Sequence, residues 1–254
     1  NQPAAIYQGF NIPFYIDHFA NDEEGKLRRA AISMSINREE ITDKIFEGTR
    51  TPATDFTSPV VDGWTDELAG SEVLDFNADE AKKLWAEADA ISPYTGTFTI
   101  AYNSDGGHQG WVDAVANSIT NTLGITAQGE PYPTFAASLD KRTTGTLTGA
   151  VRAGWQGDYP SQYNFLSAQY ASAGSSNYEG YASTEFDGKL AEATSASSLE
   201  EATGLFKESQ EILMADLPSI PLWYSNAVGV WAEGVENVVF GWVSVPLYQD
   251  ITKG

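Results

Sequence analysis

Four stretches of the chain repeat their apolar residues at the spacing of a helix that buries one face. Ile41, Ile45 and Phe46 follow Asn37; Ala81, Leu84, Trp85 and Ala88 follow Asn77; Leu205, Phe206, Ile212 and Leu213 follow Ser198. Each run opens on a capping residue with a glutamate three positions on, at Glu40, Glu80 and Glu201, whose carboxylate can return to the cap's own amide. The fourth run, Trp111 to Leu123, carries Val112, Val115, Ile119 and Leu123 and stops at Gly124, which suits a left-handed cap.

Strand-like runs fall at Thr97 to Tyr102, Ile125 to Glu130, Leu147 to Trp155, Ile220 to Tyr224, Val228 to Ala232 and Asn237 to Trp242. With a short helix near Phe135 to Arg142, the middle of the chain reads strand, helix, strand, helix, strand. That alternation predicts parallel crossovers in a sheet covered by helices. Ligands of such sheets sit beyond the carboxyl ends of the strands. Trp155 to Tyr159 and Asn103 to His108 both follow a strand and fall there. After Pro218 short aromatic strands succeed one another without helices, which marks a second unit or a return to another lobe.

Charge narrows the function. The 254 residues include 35 acidic and 14 basic ones, a formal charge of −21, which repels phosphate backbones and anionic headgroups and argues against nucleic acid as a partner. Cysteine is absent, so disulfides and thiolate metal sites are excluded. No segment approaches the roughly 20 apolar residues of a membrane span. The two histidines, His18 and His108, lack further ligands in any zinc spacing, and no G-x-S-x-G, P-loop or G-x-G-x-x-G follows a strand. No metal or cofactor is expected.

The densest chemistry lies in "VRAGWQGDYP", where Arg152, Trp155, Gln156 and Asp158 stand within seven positions. Trp155 fits a core aromatic or a pocket wall. Arg152 and Asp158 fit a structural ion pair; alternatively, Asp158 faces a cleft and awaits a cationic group on a ligand. His108, in "NSDGGHQG", fits an exposed loop. Asp158, Glu179 and Asp187 lie in aromatic, glycine-bearing sequence, which leaves a glycosidase carboxylate pair open as an enzymatic alternative.

The succession "KLRRAAISMSINREEITDKIFEGTRTPA", "FNADEAKKLWAEA", "FTIAYNSDGGHQGWVDAVANSI", "LGITAQGEPYPTF", "VRAGWQGDYPSQYNFLSAQY", "NYEGYASTEFDGKLAEA" and "QEILMADLPSIPLWYSNAVGVW" resembles the extracellular solute-binding proteins of family 5, the oligopeptide and dipeptide binders of ABC importers. The resemblance spans nearly the whole chain and rests on the order of its pieces. It implies an α/β lobe of the periplasmic-binding-protein type (type II, class C): a mixed sheet flanked by helices, with C-terminal strands returning to a first lobe. Residues 1–12 are then a crossover strand from that N-terminal lobe, 13–217 the C-terminal ligand-binding lobe, and 218–254 the returning segment. The strands around Ile6 to Asn11 and Val228 to Trp242 are expected to lack their covering sheet, so that Trp231, Phe240 and Trp242 stand uncovered or on an extended arm.

The same resemblance assigns roles. Asp158 grips a peptide's amino terminus, Trp155 walls the pocket with Gln156 beside it, Arg152 supplies positive charge for ligand carboxylates, His108 meets the carboxyl end, and Tyr132 offers a stacking face. Asp158, Trp155, His108 and Tyr132 are expected to line one concave face. "DYPSQ" departs from the "DYPDP" of many relatives, so the local turn is expected to differ. The implied protein is a binder and no enzyme, extracellular, lipid-anchored at the cell surface or periplasmic, that passes peptides to importer membrane subunits. Relatives on the same frame take oligosaccharides, nickel complexes, haem or glutathione.

Overall fold

The computed structural model describes residues 1–254. In chain order its helices are α1 (Glu23–Met34), α2 (Arg38–Phe46), α3 (Ala78–Ile91), α4 (Gln109–Leu123), α5 (Phe135–Thr143), α6 (Gln162–Tyr170), α7 (Thr184–Thr194) and α8 (Leu199–Asp216). Its strands are β1 (Gln2–Asn11), β2 (Arg50–Pro52), β3 (Phe98–Asn103), β4 (Ala127–Tyr132), β5 (Ala150–Gln156), β6 (Ser219–Ala227), β7 (Val235–Glu236) and β8 (Thr252–Lys253). No helix is long and apolar enough to cross a membrane.

Six strands form one mixed sheet in the order β2-β6-β1-β5-β3-β4. The crossovers foreseen in the middle of the chain are present, because β3 runs parallel to both β4 and β5. β1 lies antiparallel between β5 and β6 and is bonded on both edges. Side chains alternate across a strand, so the two faces sort cleanly. One presents Phe10, Ile100, Tyr102 and Trp223 to the main core under the helices. Ala5, Tyr7 and Tyr224 join Phe165 of α6 on the other.

Two of the sequence expectations need correction here. The compact unit does not stop at Leu217: β1 and β6 are its inner strands, and Ile220, Leu222 and Trp223 are fully buried. Only residues 228–254 stand off as an arm, with Val230 97% and Trp231 50% exposed. The strands expected at Val228 to Ala232 and Asn237 to Trp242 are absent; the arm holds the β7-β8 ribbon and one isolated bridge from Phe240 to Pro246. Valine and tryptophan favour a half-buried pleated surface, and no neighbouring strand offers one here. Asn237 at φ 60° and Ser244 at φ 64° also turn the backbone into the left-handed region.

Asn37, Asn77 and Ser198 cap their helices as expected, each accepting from the amide of the glutamate three positions on. The return bonds differ. The amide of Asn37 donates to Ser118 Oγ, that of Asn77 to the carbonyl of Met34, and Glu201 accepts from Ser197. Tertiary contacts take the amides of Asn37 and Asn77, while Glu201 bonds one residue ahead of its cap. Gly124 ends α4 at φ 74°.

Two arginines, both fully or nearly buried, join the layers. Arg29 of α1 donates to the carbonyls of Ile12 (2.9 Å), Leu217 (3.2 Å) and Phe19 (2.6 Å), which tie the end of β1 to the end of α8. Arg38 of α2 donates to the carbonyls of Pro221 (2.7 Å), Ser33 (3.0 Å) and Leu74 (2.6 Å). Carbonyls left without donors in a core carry their full desolvation cost. Arg29→Met keeps the apolar stem but removes every donor, and is expected to lower stability by about 3 kcal/mol in urea denaturation. A loss under about 1 kcal/mol would show that water replaces the guanidinium.

Candidate functional site

The parallel strands β3, β4 and β5 end on the same side of the sheet, at Asn103, Tyr132 and Gln156. The six residues singled out in the sequence all fall at or just beyond these ends. β5 projects farthest. It leaves β3 after the Ala101–Val151 pair, and Arg152 to Gln156 continue on β1 alone, opposite Phe10 to Ile6.

Alternation divides the four that lie in strands between two faces. Arg152 and Gln156 share the face of Phe10, while Trp155 lies across, opposite Tyr7 and against the cluster of Ala5, Phe165 and Tyr224. Tyr132 packs on the Ala101, Leu147 and Val151 cluster of that second face, and its hydroxyl donates to Glu130 Oε1 at 3.0 Å. Burial, then the bond to Glu130, pushes the Tyr132 phenol up to about 12. Trp155 and Tyr132, two of the four side chains expected on one concave face, thus share this second face.

His108 is buried as the cap residue of α4. Its Nδ1 accepts from Trp111 Nε1 at 3.1 Å. An indole N–H only donates, so Nδ1 carries no proton and the neutral ring holds its hydrogen on Nε2. Burial, then the Arg152 guanidinium, lowers the His108 pKa to about 4. Gly106 is required beside it: a Cβ there would lie 2.5 Å from His108 Nε2 and 2.7 Å from Asn103 Nδ2.

Arg152 takes part in none of the nine ion pairs, and its buried Nε has no partner. Burial, then the neighbouring Arg142, lowers its pKa. The structural ion pair between Arg152 and Asp158 is thus absent. Asp158 lies exposed in the turn after β5, with no cation of the chain within ion-pair distance. Gln156 is exposed and donates to the carbonyl of Val243 in the arm at 3.3 Å.

Asn164 in the first turn of α6 was not foreseen as part of this group. Its Oδ1 accepts from Trp155 Nε1 and from the Asp158 amide, both at 2.9 Å, and its Nδ2 donates to Asp158 Oδ2 at 3.1 Å. An asparagine inside a helical segment, where its propensity is poor, was the available signal.

Two of the three carboxylates that left a glycosidase pair open are engaged within the chain. Glu179 is buried and held by both nitrogens of Arg142 at 2.7 and 3.2 Å, with Asn11 Nδ2 at 3.0 Å, and Asp187 accepts from the Ser172 amide. Five surface pockets are lined by other residues; at this sheet end Gln156 and Asp158 are exposed, Arg152, Trp155 and Tyr132 half-buried and His108 buried.

The periplasmic murein peptide-binding protein MppA of Escherichia coli is 29% identical over 214 residues, 81% of this chain and 39% of that protein. The periplasmic oligopeptide-binding protein OppA of Salmonella typhimurium is 29% identical over 215 residues, 81% of this chain and 38% of that protein. This chain therefore spans about two fifths of the curated relatives it matches. The structure of the Escherichia coli murein tripeptide binding protein MppA superposes with a TM-score of 0.84 at 22% identity, covering 99% of this chain and 49% of that one, and shows the same fold. The model of the bacterial extracellular solute-binding proteins, family 5 Middle, matches residues 1–177, and the chain belongs to that family.

Proposed function

We propose that this chain is the ligand-recognising lobe of an ABC importer's substrate-binding protein, and that it takes short peptides by their charged termini. The observation that carries the reading is the pairing of two unsatisfied charges at one sheet end. Asp158 offers an exposed carboxylate with no cation of its own, and Arg152 holds a half-buried guanidinium with no anion. A zwitterionic peptide supplies an ammonium to the first and a carboxylate to the second, with charge-assisted bonds at both ends. Trp155 and Tyr132 add stacking faces at the same sheet end.

Two relatives named for peptide binding support this class of ligand. The open border of the site calls for a second surface, and a first lobe of the same protein supplies it in this reading. The exposed apolar arm at 228–254 reaches toward that lobe, and closure of the two would signal the importer's membrane subunits. Such a protein works outside the cytoplasm, in the periplasm or at the cell surface. Stacking aromatics also suit oligosaccharide, but a neutral sugar offers Asp158 and Arg152 only hydroxyls and no opposite charge.

Asp158→Asn in the full-length protein is expected to weaken binding of free-amine peptides about tenfold or more while leaving N-acetylated ones within about threefold, since a charge-assisted bond is worth about 1.5–3 kcal/mol against about 1 for a neutral one. Titration calorimetry on tri-alanine and N-acetyl-tri-alanine reads this; equal losses would place Asp158 outside the contact.

His108 gives a pH test of the same end. Its folded pKa of about 4 lies below the ordinary histidine value, so the unfolded chain binds the proton more readily between about 6.5 and 4. Its contribution to stability is therefore present at neutral pH and lost as pH falls through that window. Going from pH 7.5 to 4.5, wild type is expected to lose on the order of 2 kcal/mol more stability than His108→Gln. Urea denaturation at both pH values checks it, and parallel losses would mean that the ring titrates normally.

A further inference from the structure

The geometry points to Asn164 as a positioning residue that fixes Trp155 and Asp158 as one unit and leaves a single carboxylate oxygen free for a ligand ammonium. This inference rests on the peptide reading for its ligand, but its geometry is independent of it. Three hydrogen bonds converge on one side chain that is only 6% exposed. Oδ1 has two lone pairs and both are used, one by the indole of Trp155 and one by the Asp158 amide. Nδ2 holds Asp158 Oδ2, and no group of the chain bonds to Oδ1 of that carboxylate.

No other side chain of this size meets all three demands. Aspartate would accept both N–H groups but set a second carboxylate against Asp158. Leucine or alanine would orphan two donors, and glutamine would extend past the turn. The turn itself supplies no substitute, because Gly157 already donates to the carbonyl of Ala5 and Ser161 caps α6. Without Asn164, the Asp158 carboxylate would lose its one side-chain anchor, and the Trp155 indole would be held by packing alone. Affinity for an ammonium would then carry the cost of ordering them.

The arrangement predicts a coupling that a merely structural asparagine would not produce. Removing the Asp158 charge weakens its hold on Asn164 Nδ2, and the change passes through the amide to the indole N–H on Oδ1. In nitrogen–proton spectra of this chain at neutral pH, Asp158→Asn should therefore shift the Trp155 indole signal. In an Asn164→Ala background the same substitution should leave that signal nearly unmoved. Asn164→Asp keeps both acceptor bonds and the shape, so the Trp155 indole and Asp158 amide signals should both stay downfield.

The ligand arm uses full-length protein with tri-alanine and N-acetyl-tri-alanine. Asn164→Ala should weaken the free-amine peptide about tenfold or more and the acetylated one within about threefold. An indole shift on Asp158→Asn that persists in the Asn164→Ala background overturns the positioning role, and so does an equal loss for both peptides. An indole shift that Asn164→Ala removes, without any binding of tri-alanine by the wild-type protein, overturns the peptide reading and leaves the positioning role supported.

Discussion

The site depends on the ladder between β1 and β5. β5 pairs with β3 only through Ala150 and Val151, and its remaining residues are held by β1. That one antiparallel neighbour carries Arg152, Trp155 and Gln156 past the end of the parallel strands and delivers the turn at Asp158 into the open. β1 is itself fixed by β6 on its other edge and by Arg29 at its end. An inner strand with both edges bonded is among the last parts of a sheet to open, so the site's charges stand on a rigid base.

Polar accounting separates what holds the lobe from what recognises a ligand. Arg29 and Arg38 are buried and spend their donors on backbone carbonyls, and Glu179 spends its carboxylate on Arg142. Tyr224 receives the amides of Thr54 and Asp55 and gives its hydroxyl hydrogen to Asp55, whose pKa burial raises to about 6. These groups are held within the lobe. Arg152 differs because its guanidinium forms neither a hydrogen bond nor an ion pair within the chain, and Asp158 because one carboxylate oxygen stays free at the surface. Partly satisfied polar groups are expensive in a core and useful at a site.

Much of this was legible before any coordinates. Helix caps at Asn37, Asn77 and Ser198 were read correctly because capping is local, whereas the return bonds from their glutamates were not, because Ser118 and Met34 arrive from elsewhere in the chain. Alternating strands and helices gave the parallel half of the sheet. The antiparallel half was missed as such: β1 and β6 are read as segments belonging elsewhere, since an inner strand at the start of a chain looks like any other apolar run. Val228 to Trp242 shows the reverse error, in which strand-forming residues stay irregular for want of a partner. The site segment stood out by composition alone, but its division between two faces follows from strand register, and Asn164 becomes visible only when α6 folds back on the turn.

The central claim is that this sheet end recognises a free peptide amino terminus. The most direct measurement is mass spectrometry of the ligand carried by the full-length protein purified from its own host. Short peptides with unblocked amino termini are the predicted cargo. Oligosaccharides, or peptides whose amino termini are uniformly blocked, would contradict the account.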